Sequence, residues 1–367
     1  MTVSAVAQGR PIPPGFVGLS IELNAIERYA GTHPGALNPV FLQLVRNLSP
    51  GQAPVIRLGG DSTDLTWWPV PGLRRPAGVR FSLTPRWLRV TGALTRSLSA
   101  RLILGIDLEA DSARLAGAEA RAFVSAFGPG VIAALELGNE PELYGQFNWG
   151  RSGALGRTPP YGLPQFKADL SRIGAALPHL PLAGPATGAP SWFPFVRPLL
   201  AAEPRLAVVT LHRYPLQQCY VPTASPKFPT IAHLLADSAS TGLAQSIAPY
   251  SRIAHARGRT LRIDEMSTVS CGGAPGVSNS FASALWAIDS LFAMAGVGVD
   301  GVNIHTFPGS TYELFRFGQV NGTWQGVVAP EYYGMMLFAQ AAPPGSHLLR
   351  TTTTAGSVVK VWATRTL

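Results

Sequence analysis

The sequence lacks any run of 18 apolar residues, the length that a membrane-spanning helix needs. It also lacks internal repeats, coiled-coil heptads and low-complexity linkers. Charged residues are scarce at 13%, whereas apolar residues make up 46% of the 367 positions. A chain of this length and composition can bury a large core, which excludes an intrinsically disordered protein.

Cysteine is nearly absent, since only Cys219 and Cys271 occur. Their spacing matches no zinc-binding pattern. Each follows the end of a predicted strand, so the two are either joined in one disulfide or left as free thiols. A disulfide is expected if the protein is exported, and it requires a Cα separation of about 4.4–6.8 Å.

The first 16 residues show no charged segment followed by an apolar one, the pattern of a secretory signal. Either the signal has been removed from this chain or the protein is not exported. We predict a secreted or periplasmic protein, and a cytoplasmic location stays open.

The charge balance is basic, with 29 Lys and Arg against 20 Asp and Glu, a net charge of +9. A positive cleft attracts anionic ligands. Nucleic-acid binding would require a basic run or a basic helical stripe, but the arginines are scattered singly apart from Arg74 and Arg75. We therefore predict no nucleic-acid and no membrane partner.

Short apolar segments that alternate with helical patterns predict eight strand–helix units. The predicted strands span 15–21, 54–58, 101–106, 131–137, 180–183, 206–211, 260–263 and 300–304. Helical patterns include 38–48, 84–98, 111–127, 163–177, 278–295 and 330–342, with Asp111 as an N-cap. Eight such units predict an α/β fold, a (β/α)8 TIM barrel over residues 12–342.

The composition changes after residue 342 to a Thr- and Val-rich segment with partial alternation, which predicts two antiparallel strands. Two strands alone are marginally stable, so we expect residues 1–11 to pair with them. Residues 1–11 and 343–367 would then form part of a small antiparallel β-sandwich, with unpaired edges because the sandwich is truncated.

Two apolar runs end in a carboxylate, LELGNE at Glu140 and LRIDE at Glu265. Because both follow predicted barrel strands, their side chains are expected at the same end of the barrel. Two converging carboxylates suit acid/base hydrolysis of a glycosidic bond. The alternatives are a barrel-rim glutamate paired with an arginine and a solvated loop carboxylate.

Other signals are less specific. His212 and His305 fall near strand ends, where histidine is more often a hydrogen-bonding wall residue than a metal ligand. We predict no metal and no cofactor. Four tryptophans are candidates either for sugar-stacking platforms or for core packing: Trp67, Trp68, Trp149 and Trp192.

Six motifs in one order make the chain resemble clan A glycoside hydrolases, and more specifically family 79, which contains β-glucuronidases and heparanase-like enzymes. The motifs are GLSIELN at 18–24, RLGGDSTD at 57–64, ELGNEPELY at 136–144, TLHRYP at 210–215, DEMSTVSCGGAP at 264–275 and HTFPGSTYELF at 305–315. The resemblance covers nearly the whole chain.

The resemblance implies that Glu140 is the general acid/base and Glu265 the nucleophile. It places Asn139 near the sugar 2-hydroxyl and Tyr214 beside the nucleophile as a hydrogen-bond donor.

The resemblance also implies that Glu22 and Asp61 contact sugar hydroxyls. Both differ from the side chains of the animal heparanase branch, which favours a bacterial-type exo-enzyme. The turn at Gly272 and Gly273, with Tyr312, is implied to bind the sugar C6 carboxylate, although a plain loop turn with a rim tyrosine is the alternative.

Taken with the resemblance, the sequence predicts a retaining exo-β-glucuronidase that acts on carbohydrates bearing β-linked glucuronic acid. The alternatives are an endo-acting heparanase-like hydrolase, a neutral β-glycosidase on the same scaffold, and a non-catalytic carbohydrate-binding barrel.

Overall fold

The computed structural model describes residues 1–355 and 359–366. Eight parallel strands close into a barrel, in which each strand pairs with the next in the chain and the last pairs with the first. They are β1 (Val17–Glu22), β2 (Val55–Gly59), β3 (Arg101–Ile106), β4 (Ile132–Leu137), β5 (Leu182–Thr187), β6 (Leu206–Arg213), β7 (Thr260–Met266) and β8 (Gly301–Thr306). The predicted (β/α)8 barrel is confirmed.

Helices surround the barrel. They are α1 (Ile26–Ala30), α2 (Pro39–Leu48), α3 (Pro85–Leu98), α4 (Ala113–Phe127), α5 (Leu163–Gly174), α6 (Val196–Ala202), α7 (Ile231–Leu234), α8 (Thr241–Gln245), α9 (Ala248–His255), α10 (Ala282–Gly296) and α11 (Pro330–Ala341). Helix α6 and the short helices α7 to α9 follow β5 and β6, where the eight predicted strand–helix units imply helices but no bounds were predicted.

The N-cap prediction for α4 is wrong by one residue. Ser112 is the N-cap, and its hydroxyl accepts a hydrogen bond from the Leu115 amide at 3.3 Å. Asp111 instead has a left-handed backbone with φ 52° and pairs with Arg157 at 2.6 Å. The ion pair therefore draws the carboxylate away from the helix end.

The core follows from the composition of the strands. β1, β5 and β8 are buried at every position, as expected for parallel strands that are covered on the outside by helices and filled on the inside by side chains. Trp67, Trp149 and Trp192 are at most 9% exposed and contribute to packing. Three of the four candidate platforms are therefore structural aromatics, although Trp149 also lines a cavity beside the site.

In the described part of the chain, three two-stranded sheets lie outside the barrel sheet, in the segments that follow barrel strands. Thr66–Trp67 pairs with Phe81–Ser82, and Leu216–Gln217 pairs with Val269–Ser270. A hairpin of Phe315–Val320 and Thr323–Val328 precedes α11.

The chain termini form a separate antiparallel sheet, as predicted. Its order is Thr2–Gln8, His347–Thr352 and Ala363–Arg365. Residues 356–358 and 367, within the predicted accessory segment, lie outside the described residues. That this sheet belongs to a larger β-sandwich stays a prediction. Among the described residues, no helix has the length and apolar character needed to cross a bilayer.

Candidate active site

All nine predicted site residues lie at the carboxyl ends of barrel strands or on the loops that follow, around one barrel mouth. They are Glu22, Asp61, Asn139, Glu140, Tyr214, Glu265, Gly272, Gly273 and Tyr312. In a (β/α)8 barrel this end carries the active site.

The two carboxylates converge across the barrel mouth. Glu265 lies within β7, and Glu140 follows β4. One carboxylate oxygen of each lies within 4.8 Å of the other and of a His212 ring nitrogen. Glu265 is 7% exposed, whereas the Glu140 side chain is 25% exposed, so the first is enclosed and the second faces the cleft.

The backbone at Glu140 is unusual for a residue with a side chain. Its φ of 44° and ψ of 56° are left-handed, and Pro141 follows it. A non-glycine residue in this region costs roughly 1–3 kcal/mol and persists only where its surroundings hold it. The Glu140 amide donates to the Ala186 carbonyl at 2.9 Å, which fixes the turn to β5. Glu140 therefore keeps this conformation, with its side chain at the barrel mouth beside His212.

Arg57 lies beneath the site and contacts several of its polar side chains. This fully buried arginine on β2 donates from Nη1 to Glu265 Oε2 at 2.6 Å and from Nη2 to Asn139 Oδ1 at 2.8 Å. Its Nε donates to Glu136 Oε2 at 2.7 Å and lies 3.2 Å from Asp264. A planar guanidinium with five donors can hold several acceptors in one arrangement, which an ammonium group cannot do.

The charges around Glu265 favour its ionised form. Burial alone would raise the pKa of this carboxyl, but His305, His212 and Arg57 outweigh burial and hold the pKa well below its ordinary value. Tyr214 contributes by donating its hydroxyl to Glu265 Oε1 at 2.9 Å. Glu265 is therefore a carboxylate at neutral pH.

His212 joins the two carboxylates. Its Nδ1 lies 3.0 Å from Glu140 Oε1 and 4.0 Å from Glu265 Oε2. Burial lowers the pKa of this histidine, but Glu265, Asp264 and Glu140 raise it to about 10. These contacts are those of a hydrogen-bonding histidine, and the role of His212 as a wall residue stays a prediction.

Glu22 and Asp61 lie on the β1 and β2 side of the mouth. Glu22 accepts from the Ser62 amide at 2.7 Å and lies 3.4 Å from His305 Nε2. Asp61 accepts from Asn139 Nδ2 at 3.3 Å. Although Asp61 reaches solvent, the surrounding protein limits hydration of its carboxylate, and together with nearby Glu22 this raises its pKa to about 7.

The turn after β7 presents free amides. Gln218 donates to the carbonyls of Cys271 and Gly273 at 3.1 and 2.8 Å, and the Thr311 amide donates to the Gly272 carbonyl at 2.7 Å. Within 1–355 and 359–366, the Gly272 and Gly273 amides donate no hydrogen bond. The turn's carbonyls are thus occupied while two of its N–H donors are available.

Tyr312 packs against this turn. A Cβ on Gly273 would lie 3.0 Å from the Tyr312 ring, and the Tyr312 ring centroid is 6.3 Å from that of Tyr214. Burial and the charge of Glu265 raise the pKa of Tyr312 well above its ordinary value, so its hydroxyl keeps its proton.

A disulfide joins Cys219 and Cys271, with a Cα separation of 6.3 Å inside the expected range. It links the loop after β6 to the glycine turn after β7.

Three ligand atoms could meet around a metal ion, from Glu140, His212 and Glu265. All three residues already have partners, since His212 Nδ1 contacts Glu140 Oε1 and Glu265 Oε2 contacts Arg57. The positive charge of Arg57 opposes a second cation there.

Sequence reasoning missed Arg57 and the buried acids Glu136 and Asp264 as parts of the site. Arg57 is the first residue of the RLGGDSTD motif at 57–64. The available signal was an arginine inside an apolar strand, because a charge is fully buried only when it is paired.

No protein-family model matches the chain. A β-glucuronidase of Aspergillus niger is 27% identical over an alignment 356 positions long, and the alignment covers 90% of this chain and 65% of the relative. The chain therefore spans 65% of the length of the curated relative that it matches.

Solved structures share the fold. A 4-O-α-L-rhamnosyl-β-D-glucuronidase from Fusarium oxysporum matches with a TM-score of 0.63 and 17% identity, over 94% of this chain and 75% of that one. A GH51 arabinofuranosidase from Xanthomonas axonopodis pv. citri matches with a TM-score of 0.65 and 15% identity, over 95% and 77%. The chain thus has the TIM-barrel fold found in glycoside hydrolases, and its sequence is similar to that of a β-glucuronidase.

Proposed function

We propose that the protein is a retaining exo-β-glucuronidase of glycoside hydrolase family 79. The observation that carries this proposal is the approach of Glu140 and Glu265 to within 4.8 Å, with Glu265 held ionised. Retaining glycosidases have carboxyl groups about 5–5.5 Å apart, whereas inverting enzymes need about 6.5–9.5 Å to admit a water between them.

In this mechanism Glu265 attacks the anomeric carbon and forms a glycosyl ester, while Glu140 gives its proton to the leaving oxygen. Glu140 then takes a proton from a water molecule while the water oxygen bonds to the anomeric carbon, which breaks the ester and releases Glu265 as a carboxylate. Its partial exposure suits both steps, because the leaving group departs and water arrives on that side. Tyr214 and Arg57 hold Glu265 through one oxygen each and thereby orient the nucleophile.

Asn139 suits recognition of the sugar 2-hydroxyl. Its side-chain oxygen accepts from Arg57 and its amide nitrogen faces Asp61, so its rotamer is fixed beside the acid/base. Glu22 and Asp61 supply further groups for sugar hydroxyls on the β1 and β2 side of the mouth, next to Asn139.

A carboxylate on the sugar suits the turn after β7. The free amides of Gly272 and Gly273 and the protonated Tyr312 hydroxyl are donors, and ionised carboxylates only accept. The basic net charge attracts anionic substrates. The similarity to two glucuronidases, in sequence and in fold, supports the same substrate class.

The test is a panel of 4-nitrophenyl β-glycosides that differ only at C5, namely the glucuronide, glucoside and xyloside. Donors left unpaired by a neutral substituent cost about 1–3 kcal/mol each, so we expect the glucuronide to be preferred by about 10²–10⁴-fold in kcat/KM. The first product detected by NMR should be the β-anomer. Equal rates on all three glycosides would favour a neutral glycosidase, and an α-anomer would exclude retention.

A further inference from the structure

Two exposed aromatic side chains meet at the rim of the cleft. Phe147, on the loop after β4, is 48% exposed, and Tyr220, on the loop after β6, is 66% exposed. Their ring centroids are 6.3 Å apart at an interplanar angle of 33°. In the part of the chain that the structure describes, this is the one aromatic pair in which both rings are exposed. Leaving two large rings in water forgoes their burial, which marks them as a contact surface.

A cavity beside Glu140 reaches one ring of this pair, that of Phe147. Its volume is about 260 Å³, and it is bounded by Phe147, Trp149, Leu143, Asn139 and Glu140. Trp149 is fixed there by its indole N–H, which donates to the Asp64 carbonyl at 2.7 Å. The cavity therefore offers the aromatic rings of Phe147 and Trp149, among acidic and other polar side chains, next to the residue that would protonate the leaving oxygen.

The position of the cavity assigns it to the leaving group. Its lining comes from the loops after β2, β3 and β4, and β3 lies diametrically opposite β7 in the barrel order. The glycine turn proposed to hold the sugar carboxylate follows β7. Glu140 lies between the two regions, so a sugar whose carboxylate reaches the turn directs its leaving group toward Phe147.

Tyr220 is held in place by its neighbour. Cys219 is bonded to Cys271 of the glycine turn, which limits the movement of the loop that carries Tyr220. A ring that is already positioned loses less conformational freedom when it binds a ligand.

We propose that Phe147 and Tyr220 form a binding site for a flat ring in the leaving group of the substrate. This inference rests on the proposed glycosidase chemistry. Both an aromatic ring and the C–H face of a pyranose present a flat apolar surface, and either stacks on an aromatic side chain.

The experiment compares three β-glucuronides with different leaving groups: fluoride, which has no ring, 4-nitrophenol, and a pyranose in a disaccharide. The variants are F147A, Y220A and the double variant. Y333A is the matched control, because Tyr333 is also 51% exposed but lies on α11. The readout is kcat/KM, which covers all steps up to departure of the leaving group.

We expect each rim variant to lose roughly 2- to 10-fold in kcat/KM on substrates with a ring. Turnover of the fluoride should be unchanged in every variant, and Y333A should match the wild type throughout. A loss on the 4-nitrophenyl substrate alone identifies an aromatic leaving group, and a loss on the disaccharide alone identifies a sugar. An equal loss on the fluoride, or no loss on either ring substrate, overturns the inference.

The experiment distinguishes a failure of the proposed function from a failure of this inference. If the wild type cleaves another glycoside but no glucuronide, the function is wrong, and the same three leaving groups on that other sugar still decide the role of Phe147 and Tyr220. If it cleaves none of them, both proposals are overturned.

Discussion

Arg57 donates from Nη1 to Glu265 Oε2 over 2.6 Å, although the two residues lie 208 positions apart in the chain. The contact crosses from β2 to β7 inside the barrel. It neutralises a buried carboxylate and, together with Tyr214 on Oε1, fixes the orientation of that carboxylate. Stability and chemistry therefore depend on the same guanidinium.

Replacement of Arg57 by methionine should destabilise the protein by about 3–5 kcal/mol, because Glu136 and Glu265 would remain buried without their cation. Arg57→Lys keeps the positive charge but loses the planar group that binds several acceptors at once. We therefore expect its stability to lie between those of the wild type and Arg57→Met, with a clear loss of kcat. Urea unfolding and glucuronide turnover measure the two effects. Arg86→Met is the control, since Arg86 pairs with Glu27 on the surface and should change neither. Wild-type stability in Arg57→Met would contradict the burial argument.

The two carboxylates should respond differently to mutation. Glu265→Gln should abolish turnover of every substrate, because an amide is too poor a nucleophile. Glu140→Ala should lose about 10²–10⁴-fold on poor leaving groups and far less on activated aryl glucuronides. Azide should rescue Glu140→Ala and yield a β-glycosyl azide. Rescue of the Glu265 variant with the same product would reverse the assigned roles.

Tyr312→Phe should weaken recognition of the sugar carboxylate, because the variant lacks the hydroxyl that would donate to it. The loss of one donor predicts a fall of about 5- to 150-fold in kcat/KM on the glucuronide. Glucosidase activity should hardly change, because CH2OH does not need that donor. An equal loss on both substrates would mean that Tyr312 only supports its loop.

Alanine substitutions at Gly272 and Gly273 can be compared directly, because the two glycines have nearly the same φ angle. Both have left-handed φ angles, 86° and 85°, so alanine at either position costs about 1–2 kcal/mol of backbone strain. A Cβ on Gly273 would also press on Tyr312, whereas one on Gly272 would meet open space. We expect Gly273→Ala to reduce the preference for glucuronide over glucoside much more than Gly272→Ala does. The same reduction in both would point to strain alone.

His212 should make stability depend on alkaline pH. Its pKa is about 10 in the folded protein against an ordinary value of 6.5. Because the folded pKa is raised, the stabilisation is complete below about pH 6.5 and is lost as the pH rises through 10, up to about 5 kcal/mol. Urea titrations from pH 6 to 10 should show this decline in the wild type, and His212→Asn should flatten it. The exposed His33→Asn should follow the wild type.

The sequence was sufficient to predict the barrel because its signal is local: apolar runs of four to eight residues, each followed by a helical pattern. The positions of Glu140 and Glu265 followed from the same runs. The network of Arg57 could not be read in this way, because its partners Glu136, Asn139 and Glu265 lie 79, 82 and 208 residues further along.

Errors also came from contacts that local patterns do not encode. Asp111 has the side chain of an N-cap, but the distant Arg157 competes for its carboxylate. The helices α7 and α8 have 4 and 5 residues, too few for a periodic pattern to be recognised. The aromatic pair at the rim depends on two loops that meet only in the folded chain.

Closure of the barrel by β8 against β1 sets a condition on biosynthesis. Ser20 pairs with His305 in that ladder, and His305 Nδ1 lies 3.9 Å from Glu265. A nascent chain that has released only seven strands already contains both carboxylates, yet it has an open sheet and one cation fewer beside the nucleophile. The proposed activity therefore requires that the chain up to residue 306 has left the ribosome, because only then can β8 close the barrel and bring His305 beside Glu265.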